Sequence, residues 1–237
     1  ITSSRVSDAF NAADQIEFTG GKKNTINFEF IKGRLKARYN SLSPQAAVRY
    51  FKKLYEDTPS NENKYAYISA LQSNGQTDQA LNVMNEILKK FPKNLILNTT
   101  KSEILLSGQR LSDAQKNIEQ VLNISPGNYP ASIMKAKVLS SKKEFIKAEE
   151  ILRDLLISKN RDPGLWMQLS EVQRAGKNIV GYHLSRGEYY TLIGDFDNAL
   201  NQFQFALSLS GNSFQTSETI MTKIKFAKER LGRRRGF

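Results

Sequence analysis

The 237-residue sequence predicts an all-α fold, a solenoid of stacked helix pairs closed by a C-terminal capping helix. Three observations carry that expectation. Ala46, Ala80, Ala114 and Ala148 stand at successive intervals of 34 residues. Each is followed four positions later by a bulkier side chain (Tyr50, Met84, Ile118, Leu152), which one helical turn places on the same face. Pro59, Pro92 and Pro126 recur at steps of 33 and 34, and Gly75 and Gly108 precede two of the alanines by five and six residues.

This pattern resembles the tetratricopeptide repeat, a helix–turn–helix unit of about 34 residues. Each feature has a physical reason. Alanine lets the second helix approach the first closely. Glycine opens the tight turn by accepting a left-handed conformation. Proline ends the second helix because the residue before it is pushed out of helical angles.

The phase then assigns each element in order. Residues 1–17 read as one short helix with Ala9, Ala12, Ala13 and Ile16 on a face, and residues 18–24 as a loop. The first pair is predicted over about 26–40 and 43–57, entered through Ser43 as a cap and Pro44 in the first turn. Further pairs follow over about 61–74 and 77–91, 95–107 and 111–124, and 129–141 and 144–158. Asp113 and Glu149 read as solvated charges on outer faces. The period then breaks: the next matching alanine, Ala199, lies 51 residues after Ala148, one and a half repeats. Either one extra helix is inserted or two longer helices replace a pair. Pro163–Ala175 gives one helix and 178–193 a longer one. Asp195 and Asp197 cap a helix over 195–209. A last helix over about 213–231 covers the open end of the stack, as terminal repeats require.

The run from Pro163 to Leu207 resembles something more specific. Leu165, Trp166, Leu169, Ser170 and Glu171, then His183 to Tyr190, then Gly194 to Phe203, are similar to the repeat domain of periplasmic zinc metallopeptidases of the β-barrel assembly-enhancing type. Ser3 to Ala9 is similar to the end of that family's peptidase domain. The resemblance implies that 1–24 is the residual peptidase tail and linker, 25–232 the solenoid and 233–237 a basic tail. It implies a periplasmic, non-catalytic interaction module that docks its own peptidase domain. It also implies that the module binds peptide or protein clients, or machinery of outer-membrane protein assembly and quality control. Zinc is expected only in the absent peptidase domain.

Composition limits the chemistry. There is no cysteine, which excludes disulfides and thiolate sites. His183 is the sole histidine, so the family's His-Glu-x-x-His site is missing and no cofactor is expected. His183 sits among tyrosines with no nucleophile partner and reads as structural. Glu149 and Glu150 point about 100° apart on a helix and do not converge. No window is apolar enough to insert into a membrane. Half of the net charge of +12 lies in 223–237, where seven basic residues face Glu229 alone. That tail leaves open an alternative as a nucleic-acid or anionic-surface binder. A free-standing periplasmic scaffold is a further alternative.

What remains is surface. In this architecture the first helix of each pair lines the concave face. Starting each first helix 19 residues before its alanine, positions 5, 9 and 12 point inward. They are Ile31, Leu35 and Arg38; Tyr65, Ser69 and Gln72; Thr99, Glu103 and Leu106; and Ile133, Lys137 and Ser140. None of the four position-5 residues is a lysine, which disfavours a carboxylate clamp. The mixed lining suits an extended peptide or a neighbouring domain.

Overall fold

The computed structural model describes residues 25–211 and 214–235; the predicted helix over 1–17 and loop over 18–24 lie outside the described residues. The described residues form twelve helices and no strand. They are α1 (Ile26–Arg38), α2 (Pro44–Asp57), α3 (Asn61–Ser73), α4 (Thr77–Lys90), α5 (Leu95–Ser107), α6 (Leu111–Ile124), α7 (Tyr129–Ser141), α8 (Phe145–Ser158), α9 (Pro163–Ala175), α10 (Ile179–Leu192), α11 (Phe196–Leu209) and α12 (Phe214–Arg235). No described helix is long and apolar enough to cross a membrane. The chain divides into two compact units between Ser69 and Ala70.

Local chemistry sets the helix ends. Side chains at Ser60, Asn94, Asn128 and Asp162, each 34 residues after the last, accept a hydrogen bond from a first-turn amide of α3, α5, α7 and α9. The second helices α4, α6 and α8 start without a side-chain cap. These three helices and α10 follow tight turns in which Gln76, Arg110, Glu144 and Asn178 donate their amides back to Leu71, Leu105, Leu139 and Gln173 at 2.8–2.9 Å. The left-handed residue of each turn is Gly75, Gln109, Lys143 and Lys177, again 34 apart. Gly108 is therefore not the left-handed residue expected: its φ is −83°. It is glycine for space, since a Cβ there would lie 2.4 Å from the Thr77 side chain. The prolines act as anticipated: Thr58, Phe91 and Ser125, each just before one, end α2, α4 and α6 at φ of −137°, −131° and −136°.

In the first unit, the buried rings of Phe30 and Tyr65 meet at 5.6 Å. Gly33 lets α1 touch the backbone of α3; a Cβ would fall 2.3 Å from the Glu62 carbonyl. The repeat register here is one residue later than the sequence implied. Ala47 and Phe51 are buried, whereas Tyr50 is half exposed. The sequence places an alanine at 47 as well as 46, and packing selects Ala47.

In the second unit each helix from α4 to α12 packs on the next, and α5 also touches α7. The break in period resolves into one extra helix. α9 has 13 residues and α10 has 14, ordinary lengths, so the longer-helix alternative is incorrect. α10 serves as second helix to α9 and first helix to α11. Its Gly187 lies against Phe203 of α11, where a Cβ would be 2.2 Å from the ring. Asp195 caps α11 as expected, accepting from the Asn198 amide at 3.2 Å. α12 buries Ile220, Ala227 and Leu231, the pattern of a cap. It runs through to Arg235, past the expected tail boundary at 232.

Glu149 is not the solvated charge the sequence implied. It lies in a largely buried network, accepting from Gln173 Nε2 at 2.9 Å and Arg153 Nη2 at 2.7 Å. Ser185 of α10 in turn donates to Gln173 Oε1 at 2.7 Å. Burial pushes the Glu149 pKa up, but the hydrogen bonds from Gln173 and Arg153 outweigh it and hold the carboxyl below the usual range. Asp113, by contrast, forms an exposed pair with Arg110 at 2.8 Å.

Candidate functional site

The twelve residues expected to line a groove meet different fates. Ile31, Leu35 and Arg38 are exposed on α1. Tyr65 is fully buried against Phe30 and cannot line an open surface; its position belongs to the core between α1 and α3. Ser69 is half-buried and donates to the Tyr65 carbonyl at 3.0 Å. Gln72, Thr99 and Glu103 are half-buried on α3 and α5. Ile133 packs against the apolar cluster of α7, α8 and α9.

Three of the twelve come together. Leu106 of α5, and Lys137 and Ser140 of α7, line a cleft of about 360 Å³ with Met167, Gln168, Glu171 and Val172 of α9. Ala136, Ser141 and Leu152 complete it. The floor is apolar, supplied by Leu106, Ala136, Leu152, Met167 and Val172. Around it stand Lys137, Glu171, Gln168 and two serines.

The framework of the cleft follows from neighbouring contacts. The Tyr129 hydroxyl at the start of α7 donates to Asp162, the N-cap of α9, so the two helices begin side by side. Burial and the Asp162 carboxylate push the Tyr129 pKa up to about 12. Trp166 Nε1 donates to the Asn160 carbonyl at 2.7 Å and fixes the first turn of α9. Behind Met167, Arg186 Nη1 of α10 lies 3.1 Å from the sulfur, while Nη2 donates to the Tyr190 hydroxyl at 2.8 Å. The Arg186 guanidinium also lies over the Tyr190 ring, 5.1 Å from its centroid.

Two polar groups of the cleft are not used by the fold. Gln168 Oε1 is buried without a hydrogen-bond partner among the described residues. Lys137 is exposed and has no ion-pair partner among the described residues, while Glu171 is tied to Arg174 at 2.6 Å. A second cleft of about 300 Å³, between α4, α5 and α6, differs in this respect. Its Arg110 is held by Asp113 at 2.8 Å and reaches Asp78 at 3.9 Å.

Sequence reasoning missed Met167 and Glu171, although a signal existed. Pro163 lies 34 residues after Tyr129, so positions 5 and 9 of a further first helix fall on these two residues. The displaced Ala199 had ended the repeat count one helix pair too early.

Among the described residues no group of three or more His, Cys, Asp or Glu could hold a metal ion. His183 pairs through Nδ1 with Gln202 Oε1 at 2.9 Å, and its ring packs 5.4 Å from Phe205. The residues present do not fit the zinc site of the resembled peptidases.

No family model and no curated protein matches the chain. Solved structures do. A tetratricopeptide repeat protein from Parabacteroides merdae is similar at 16% identity and TM-score 0.52, over 95% of this chain and 90% of that one. A thermophilic tetratricopeptide-repeat protein of Thermus thermophilus is similar at 18% identity and TM-score 0.50, over 84% and 99%. The Cut9–Hcn1 hetero-tetramer of the APC/C is similar at 15% identity and TM-score 0.53, over 96% of this chain and 46% of that one. Together with the helix order, these likenesses show that the chain has the tetratricopeptide-repeat α-solenoid fold.

Proposed function

We propose that the chain is a non-catalytic binding module that takes an extended protein segment in the α5–α7–α9 cleft. One observation carries this reading: an open apolar floor bordered by an ammonium group and an amide oxygen that the described residues leave unpartnered. An apolar side chain of the segment fills the floor, and its main-chain carbonyls accept from Lys137. The cleft sits on three consecutive first helices, so its walls are rigid elements rather than loops.

The finer reading rests on the resemblance of Ser3–Ala9 and Pro163–Leu207. In it the module is tethered to a periplasmic zinc metallopeptidase and works by positioning, holding clients or outer-membrane assembly components at high effective concentration near the protease. The basic tail supports a second reading, binding of an anionic surface, because Lys225, Lys228 and Arg233 of α12 have no ion-pair partner among the described residues. Such binding falls steeply with salt.

The test is selection of random 12-residue peptides displayed on phage against the full chain. Selected peptides should lose about tenfold or more in affinity for Met167→Asp and remain uncleaved. Peptides that bind Met167→Asp as tightly as the parent chain would contradict the cleft, and salt-sensitive binding lost with Lys225→Glu and Lys228→Glu would favour the second reading.

A further inference from the structure

The first described helix exposes a face that its counterparts bury. Counting from the N-caps Thr25, Asn94, Asn128 and Asp162 aligns α1 with α5, α7 and α9. Three residues on, Phe28 is 48% exposed, while Leu97, Ala131 and Leu165 are each 0% exposed. Ten residues on, Leu35 is 49% exposed, while Ile104 and Val138 are fully buried. Ile31, six residues on, is 47% exposed where Thr100 and Met134 are buried.

In the later repeats the first helix packs against the helix before it, and on α9 that helix covers this face. α4 packs on α5, α6 on α7 and α8 on α9. On α9, Leu165 and Val172 belong to one cluster with Leu152 and Leu156 of α8. A terminal repeat that ended the stack would turn polar side chains outward here. α1 instead presents Phe28, Ile31 and Leu35 in a row, with Tyr39 and Leu42 exposed beyond them. The borders of the row are basic. Lys32, Lys36 and Arg38 stand on α1 beside the row, and Lys32 and Lys36 share the carboxylate of Glu62.

We infer that this face docks an amphipathic α-helix of a partner protein, apolar on one side and acidic at its borders. The docked helix would sit as the second helix of a repeat sits on the first helix of the next. Its apolar residues cover Phe28, Ile31 and Leu35, and its carboxylates meet the lysines that Glu62 alone does not neutralise.

The experiment uses the full chain and two fluorescent peptides. One has the sequence of residues 76–92, the α4 segment that packs on α5; the other carries Lys89→Glu and Lys90→Glu. The acidic peptide should bind more tightly than the parent peptide. Leu35→Asp in the chain should weaken it about tenfold or more, with an unchanged melting temperature because Leu35 is half exposed. Lys137→Glu, in the cleft, should leave it unaffected. No binding of either peptide, or equal binding to Leu35→Asp, would overturn the inference while leaving the cleft reading intact. Two further results would also overturn it by naming another occupant. One is a chain dimer in sedimentation that Leu35→Asp dissociates, which assigns the face to a second copy. The other is tighter peptide binding after removal of residues 1–24, which assigns it to the chain itself.

Discussion

The α7–α8 and α9–α10 pairs have the same helix lengths but are held together by different chemistry. Between α7 and α8 the contact is apolar, with Ala136, Leu139, Ala148 and Leu152 buried in one cluster. Around α9 and α10 a polar chain runs from Ser185 through Gln173 to Glu149 of α8, with Gln173 and Ser185 almost fully buried. The difference follows from the extra helix. α10 must serve two neighbours, so it is narrowed on two faces: Gly181 passes Gln173 and Gly187 passes Phe203. Apolar contacts are non-directional; a hydrogen-bonded chain of buried amides can shift only by leaving donors unpaired. The polar network therefore fixes the register where the repeat signature shifts by half a period.

Three sets of substitutions sharpen that contrast. The largest effect is expected at Gly187, because the obstructing group is a rigid ring. Gly187→Ala should destabilise the chain by about 2–3 kcal/mol in chemical denaturation. Phe203→Leu in the same chain should restore part of the loss, and a strictly additive pair would refute the contact.

Glu149→Ala comes next, at about 2 kcal/mol, since it leaves the buried Gln173 amide without its acceptor. Asp113→Ala, on the exposed counterpart, should change stability by less than about 0.5 kcal/mol. The pH dependence has a defined sign. The Glu149 pKa is lowered on folding, so its contribution is complete above the unfolded carboxylate value of about 4.3 and is lost as pH falls through the folded value. The stability gap between the parent chain and Glu149→Gln should therefore narrow as pH drops below about 4. A gap that widens in acid would refute the assignment.

The smallest effects lie in the turns. Lys143 and Lys177 hold left-handed angles, φ 65° and 62°, where Gly75 serves in an earlier turn. Lys143→Gly and Lys177→Gly should each stabilise by about 0.5 kcal/mol, the relief of the left-handed angle exceeding the added chain entropy. A melting temperature that falls would show that these lysines make contacts outweighing the strain.

Legibility from sequence tracks the range of the interactions. Helix bounds came out within about four residues because caps, turn residues and prolines act over three or four positions. The same locality explains the errors. Ala46 and Ala47 are equivalent until a neighbouring helix selects one. Gln109, Lys143 and Lys177 carry no residue-type signal for a left-handed turn, although their 34-residue spacing does. Glu149 looked solvated because its partner Gln173 lies 24 residues away on another helix. Of the expected groove, Leu106, Lys137 and Ser140 were legible from phase alone. Tyr65 was not, because whether an inward position meets solvent or Phe30 depends on how closely α1 approaches.

The cleft itself is tested most directly by methyl NMR. The chain has four methionines, Met84, Met134, Met167 and Met221, and only Met167 lines the cleft. With methionine methyls labelled, addition of a phage-selected peptide should shift the Met167 resonance and leave Met84 and Met221 in place. Binding that moves Met84 or Met221 while Met167 stays fixed would contradict the account.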